Sequence, residues 1–311
     1  MKKRLLALLL AVVLTVSCLP HVVLAEGVQS EEQEQETTLE LVEETTTEEV
    51  VQETTTETVV VPEPHSHSDA HVCEDCEDNT VTWTKWEKTN ELPTTTGHYY
   101  LTVDVKVSKF WNVSDTNDVV LCLNGFTVDA QGKSCIYRLD KNAKRTNSDC
   151  TAYTDAEGNY VAGALTGGKE QDRGAIIHAD NYACFRMFGG KLTNGLNTQA
   201  ASATGYSGGA IHARGNATVY LKDCEVSGNH TTAEGGAICL RETNAVGDTG
   251  ATVYCENVTF KNNVADRKGG VIFLNNAKNS VTLKNCTVEG NSSKGSGGAI
   301  YSSKGRVTLE N

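Results

Sequence analysis

"TVYLKDCEVSGN" (218–229), "TVYCENVTFKNN" (252–263) and "SVTLKNCTVEGN" (280–291) align without a gap, and this threefold copy decides the fold. The last residues of the copies, Asn229, Asn263 and Asn291, are 34 and then 28 residues apart. A glycine pair recurs with them, at Gly208-Gly209, Gly235-Gly236, Gly269-Gly270 and Gly297-Gly298, with spacings of 27, 34 and 28. The long interval holds an insertion, "RETNAVGDTGA" (241–251). Units of this length, with two short strands and Gly/Asn turns, stack as an all-β solenoid of parallel coils.

Alternation along each strand assigns the faces. One inward column runs Val219, Val253, Val281, Val307, and the next runs Leu221, Cys255, Leu283, Leu309. After a corner come Cys224, Val258, Cys286, then Val226, Phe260, Val288. Every position is apolar or Cys, because each coil buries its face only against its neighbours. The outward column Lys222, Glu256, Lys284, Glu310 alternates in sign, so in-register stacking at about 4.8 Å pairs opposite charges. Asn229, Asn263 and Asn291 fall at one corner, where an amide can bond its own turn and its counterpart in the next coil. The glycine pairs supply positive φ and close approach at another corner. Both motifs read as scaffold.

The outward positions after the glycine corner, His212, Cys239, Phe273 and Tyr301, form an exposed column by the same alternation. His212, Phe273 and Tyr301 are thus the candidates to face a ligand, by stacking on sugar rings or on a partner's apolar surface. Ordinary cross-strand stacking is the competing explanation. Trp83, Trp86 and Trp111 are expected to cover the open end of the first coil.

Upstream of the repeats the chain changes character. Residues 1–25, "MKKRLLALLLAVVLTVSCLPHVVLA", have the basic start and apolar run of a secretory signal, cut after Ala25. Lipid attachment at Cys18 is the alternative, although Thr15 stands where lipoprotein signals usually carry Leu. Residues 26–64 hold thirteen Glu and no Lys or Arg, enough to account for the whole formal charge of −13. Such a Glu/Thr run buries too little apolar surface to offset its ordering entropy and reads as a disordered acidic linker. The remainder has 27 acidic and 27 basic residues, so no basic face recommends a nucleic-acid partner.

The connector 65–79 contains "HSHSDAHVCEDC" (65–76). His67, His71, Cys73 and Cys76 are a donor set suited to zinc, and no other cofactor is implied. A local disulfide or free thiols fit the same residues. Ten cysteines remain after cleavage at Ala25, an even number that invites disulfides in an exported protein. Cys224, Cys255 and Cys286 occupy core columns, where Cys serves as a small apolar residue, whereas Cys122 and Cys150, in the less regular opening coils, are better candidates; the sequence leaves the connectivity open.

Phe260–Asn263 ("FKNN") followed by "GGVI", with "VSGN…GGAI" and "VEGN…GGAI", resembles the paired FxxN and GGA[I/L/V] repeats of polymorphic membrane protein adhesins. "ELPTTTGHYYLTVDV" (91–105), "LCLNGFTV" (121–128) and "FRMFGGKLTNG" (185–195) resemble the opening coils of surface proteins of Gram-positive gut bacteria with the pectin-lyase-like fold. The resemblance, over about residues 80–311, implies a right-handed parallel β-helix, with a cap and opening coils over 80–130 and repeats over 131–311. It also implies a secreted or surface-displayed, adhesin-like protein with a glycan, or a host or bacterial surface protein, as partner. The sequence stops inside a fourth copy, "RVTLEN", which leads us to expect a truncated chain whose anchor and remaining coils are missing. "LPTTTG" (92–97) is not a sortase signal, because its fifth residue is Thr96 and no membrane tail follows.

A carbohydrate-active enzyme of the same fold is the alternative reading. Lyases and glycosidases need carboxylates converging on a groove. Here the columns run Asp223–Asn257–Asn285, Glu225–Thr259–Thr287, Ser227–Lys261–Glu289 and Glu234–Lys268–Ser296, and none stacks two acids. A purely structural spacer is the third reading.

Overall fold

The computed structural model describes residues 82–113, 117–140, 142–198, 207–241, 247 and 249–311. The expected leader, acidic linker and His/Cys connector lie outside the described residues, so His67, His71, Cys73 and Cys76 have no structural account.

One coil illustrates how the chain builds the body. It runs through Ile211–Ala213, Thr218–Lys222, Glu225–Ser227 and His230–Thr231, turns at Gly235-Gly236, and begins again at Ile238–Leu240. Each strand pairs in parallel with its counterpart in the next coil, Val219 with Val253 and Val226 with Phe260. Repetition gives four parallel sheets among the described residues. Sheet 1 has nine strands, from Trp83–Trp86 to Arg306–Glu310, and sheet 2 has seven, from Val105–Lys106 to Thr287–Glu289. Sheet 3 has five, from Lys169–Glu170 to Ser292–Ser293, and sheet 4 has seven, from Trp111–Val113 to Ile300–Ser302. A short antiparallel hairpin, Tyr153–Thr154 with Tyr160–Val161, stands out between sheets 1 and 2 of its coil. No helix occurs among the described residues. The fold is a right-handed parallel β-helix.

The core is the set of inward columns read from the repeats, extended upstream; in the last coil Val288 and Leu309 remain exposed. Val219, Val253 and Val281 are buried in register, and Phe185 continues the column below them. Sheet 2 contributes Val128, Leu165, Leu192, Val226 and Phe260, all without exposed surface. Ile177, Ile211, Ile238 and Ile272 line sheet 4, where β-branched side chains fit the pleat. Two polar residues break the pattern in the opening coils. Arg145 and Asn147 occupy inward positions of sheet 1 and are fully buried. The Arg145 guanidinium lies 4.6 Å over the Tyr137 ring and donates to Tyr137 Oη (3.2 Å) and Pro93 O (3.3 Å).

The asparagine corner is a continuous ladder. Asn263 Oδ1 accepts from the backbone N–H of Asn229 (3.1 Å) and from Asn229 Nδ2 (2.9 Å). Asn291 Oδ1 does the same for Asn263, at 2.8 and 2.9 Å. Each Nδ2 also donates to a carbonyl of the preceding coil, Asn263 to Val226 O and Asn291 to Phe260 O. At the glycine corner, Gly235 has φ +73°. A Cβ on Gly236 would sit 2.0 Å from Gly270 O in the next coil, so only hydrogen fits between the stacked turns.

The three tryptophans part company. Trp86 and Trp111 pack, half-buried, against the main core. Trp83 is buried in a separate cluster with Cys122, flanked by Tyr100, Val120 and Cys150. The expectation that all three cover the first coil's end therefore fails for Trp83. It pairs in register with His98, an outward position of sheet 1, and so packs outside the sheet.

Candidate ligand-binding faces

The column expected to be exposed forms in register but is mostly covered. His178, His212, Cys239, Phe273 and Tyr301 succeed one another on sheet 4. His178 and His212 stack at 5.3 Å, and Phe273 and Tyr301 at 5.6 Å. Yet His212 is fully buried and Phe273 is 5% exposed; only Tyr301 keeps partial exposure. The residues before the glycine pairs fold over the column. His212 Nδ1 bonds Ser207 O (2.9 Å), and Ser207 Oγ lies 3.1 Å from Cys239 Sγ. Buried Glu234 pairs with Arg241 (2.8 Å) and Arg267 (3.0 Å), and the Arg241 guanidinium lies 5.1 Å over Phe273. Lys268 Nζ sits 4.6 Å over the Tyr301 ring. Burial, with Arg214, Arg173 and Arg138 nearby, lowers the His178 pKa from 6.5 to about 3. Burial likewise depresses His212 well below the usual imidazole range.

A stacked pair of exposed aromatics is on sheet 1 instead, apart from the single exposed ring of Tyr182 in a turn. The outward residue in the middle of each strand runs Arg186, Tyr220, Tyr254, Thr282, Thr308. The Tyr220 and Tyr254 rings stack 5.1 Å apart at 10°, and are 38% and 43% exposed. Arg186 lies 5.9 Å over the other face of Tyr220. Thr282, next in the column, has no ring to cover the far face of Tyr254. Alongside runs the charge column, in which Lys284 Nζ lies 2.7 Å from Glu256 Oε1. The Lys284 hydrogen bond holds the Glu256 carboxyl below its usual range, and Glu256 in turn raises Lys284. Between the two columns lies a groove of about 400 Å³, walled by Tyr220, Tyr254 and Thr282 on one side and Lys222, Glu256 and Lys284 on the other. The arrangement offers apolar ring surface, hydroxyls and a self-neutralised wall. The strands "TVYLK" and "TVYCE" carried this signal in the sequence, since the same alternation places their tyrosines outward.

A second, polar groove of about 850 Å³ follows sheet 2 beneath the hairpin. Tyr160 anchors the hairpin by donating to Asp223 O (2.6 Å) and accepting from Gly190 N (3.0 Å), and burial pushes its phenol pKa up. The carboxylates here are already engaged: Asp223 by Asn257 (2.8 Å), Glu225 by Ser227 (2.6 Å) and Glu289 by Lys261 (3.0 Å). Among the described residues no cluster of three or more His, Cys, Asp or Glu is placed to hold a metal ion. Among the described residues there is no helix long and apolar enough to cross a membrane.

The model of the Chlamydia polymorphic membrane protein repeat matches residues 223–241, 257–275 and 285–303. Each match spans the sheet 2 strand, the asparagine corner, the sheet 3 strand, the glycine corner and the sheet 4 strand of one coil. The chain carries polymorphic membrane protein-like β-helix repeats. It is also 42% identical over 87 residues to the "Probable autotransporter YfaL" of Escherichia coli (strain K12). That stretch is 27% of this chain and spans only 7% of the autotransporter's length. No solved structure matches the chain.

Proposed function

We propose that this is a surface-displayed, non-catalytic, adhesin-like protein that binds glycans in the groove beside Tyr220 and Tyr254. The observation that carries the reading is the exposed tyrosine stack on the wall of this groove, followed in its column by Thr282 and not by a third ring. A pyranose ring has an apolar face for Tyr254 and equatorial hydroxyls for Thr282 and the charged wall. Because Glu256 and Lys284 neutralise each other, the groove favours an uncharged sugar over a charged peptide. Surface display is supported by the two relatives, a membrane protein repeat and a probable autotransporter, and by the leader expected at 1–25.

A glycan array probed with the full exported chain tests the reading. Binding of neutral glycans, weakened about tenfold or more in Tyr254→Ala, is expected. Binding unchanged by that substitution would overturn the site, and binding of cell-surface proteins but of no glycan would overturn the ligand class. Shortening of a bound polysaccharide would overturn the non-catalytic reading in favour of an enzyme.

A further inference from the structure

Two thiols in the opening coils stand apart from the other described cysteines. Cys122 ends the strand Asp118–Cys122 of sheet 1, and Cys150 lies two residues beyond Ser148, the residue that pairs with Cys122 in the next coil. Their sulfurs are 3.2 Å apart. A disulfide spans about 2.05 Å, so closing the pair needs roughly 1 Å of movement, within reach of small rotations about the side-chain bonds. Cys122 is fully buried while Cys150 is partly exposed, so an oxidant meets Cys150 first.

Four of the other six described cysteines have different surroundings. Cys224 Sγ lies 2.9 Å from Lys222 O, and Cys286 Sγ 3.4 Å from Lys284 O, each held against backbone. Cys239 Sγ accepts from Ser207. Burial, with Glu170 beside it, pushes the Cys135 thiol up to about 12.

We propose that Cys122 and Cys150 are a redox modification site, closed as a disulfide in the exported protein. The oxidant is a small-molecule or protein disulfide. The Cys150 thiolate attacks one of its sulfurs, forming a mixed disulfide and expelling the first thiolate. The Cys122 thiolate then attacks the Cys150 sulfur and expels the second. Two cysteine thiols are oxidised by two electrons, the oxidant disulfide is reduced to two thiols, and the two cysteine protons finish on those thiols. The link ties adjacent coils beneath Trp83, where the nine-stranded sheet starts. A solenoid is held by nearest-neighbour contacts, so a covalent tie between coils resists fraying there. The inference is independent of any ligand.

The full chain, purified without reductant and equilibrated with oxidised glutathione, is alkylated, digested and mapped by mass spectrometry. The expected result is a Cys122–Cys150 linked peptide that reduction separates. Reduction should also lower Tm by about 5–10 °C. The Cys122→Ser/Cys150→Ser variant should melt near the reduced protein and no longer respond to dithiothreitol. Cys122 and Cys150 both alkylated after oxidation, or either linked to another cysteine, would overturn the proposal. The peptide map is made on the unsubstituted chain, so it decides the matter even if the variant fails to fold.

Discussion

Gly236 and Asn263 show how little freedom single positions have in a stacked coil. Gly236→Ala would place a methyl 2.0 Å from Gly270 O and 2.8 Å from the Val264 backbone. Backbone on both sides cannot yield as a side chain would, so we expect a loss of about 3 kcal/mol or more, read from the denaturant midpoint. Asn263→Ala removes the acceptor for two donors of Asn229 and the donor to Val226 O, for an expected cost of about 2–4 kcal/mol. The buried histidines make a different prediction. Below pH 6.5 the unfolded His178 takes up a proton, while the folded one stays neutral down to about 3. Protons thus bind the unfolded chain first, and stability falls as pH drops through that window. Urea midpoints should decline between about pH 7 and 5, ahead of the carboxylates, and His178→Phe/His212→Phe should flatten the decline.

Strands and their columns were the most legible level of the sequence. The spacing of 34 and 28 residues, with period-two alternation, placed Val219, Val253 and Val281 in one column and Lys222, Glu256 and Lys284 in another, as the registers show. Exposure was less legible, because a strand's pattern gives its direction but not what lies above it. His212 and Phe273 point outward from their strand and are covered by Ser207, Glu234 and Arg241, whose path depends on turn geometry. Tyr220 and Tyr254, equally outward, lie on neighbouring strands of sheet 1 and keep about two fifths of their surface exposed among the described residues. The charge column can be tested directly. Glu256→Lys would set three ammonium groups in a row, and should lower Tm at low salt with recovery as ionic strength rises.

At the scale of the whole β-helix, stability accumulates from coil to coil along a core that runs through the stack. Phe260 fills the axis between Val226 and Val288. Phe260→Ala should cost about 3–5 kcal/mol. Hydrogen exchange should quicken mainly in the coils of Val226 and Val288, leaving that of Leu165 protected; uniform loss of protection would contradict nearest-neighbour stacking.

The asparagine ladder gives this stack a polarity. Every side-chain carbonyl in it belongs to the later coil and accepts from donors of the earlier one. The earlier partner need bring only a backbone N–H, which is why Gly195, with no side chain, can donate to Asn229 and open the series. Extending it in the other direction requires a side-chain carbonyl each time. The ladder can therefore begin on a glycine, but each further rung needs a side-chain amide. Modules that vary in length, as these do at 28 and 34 residues, remain interchangeable provided each brings that one amide to the same corner.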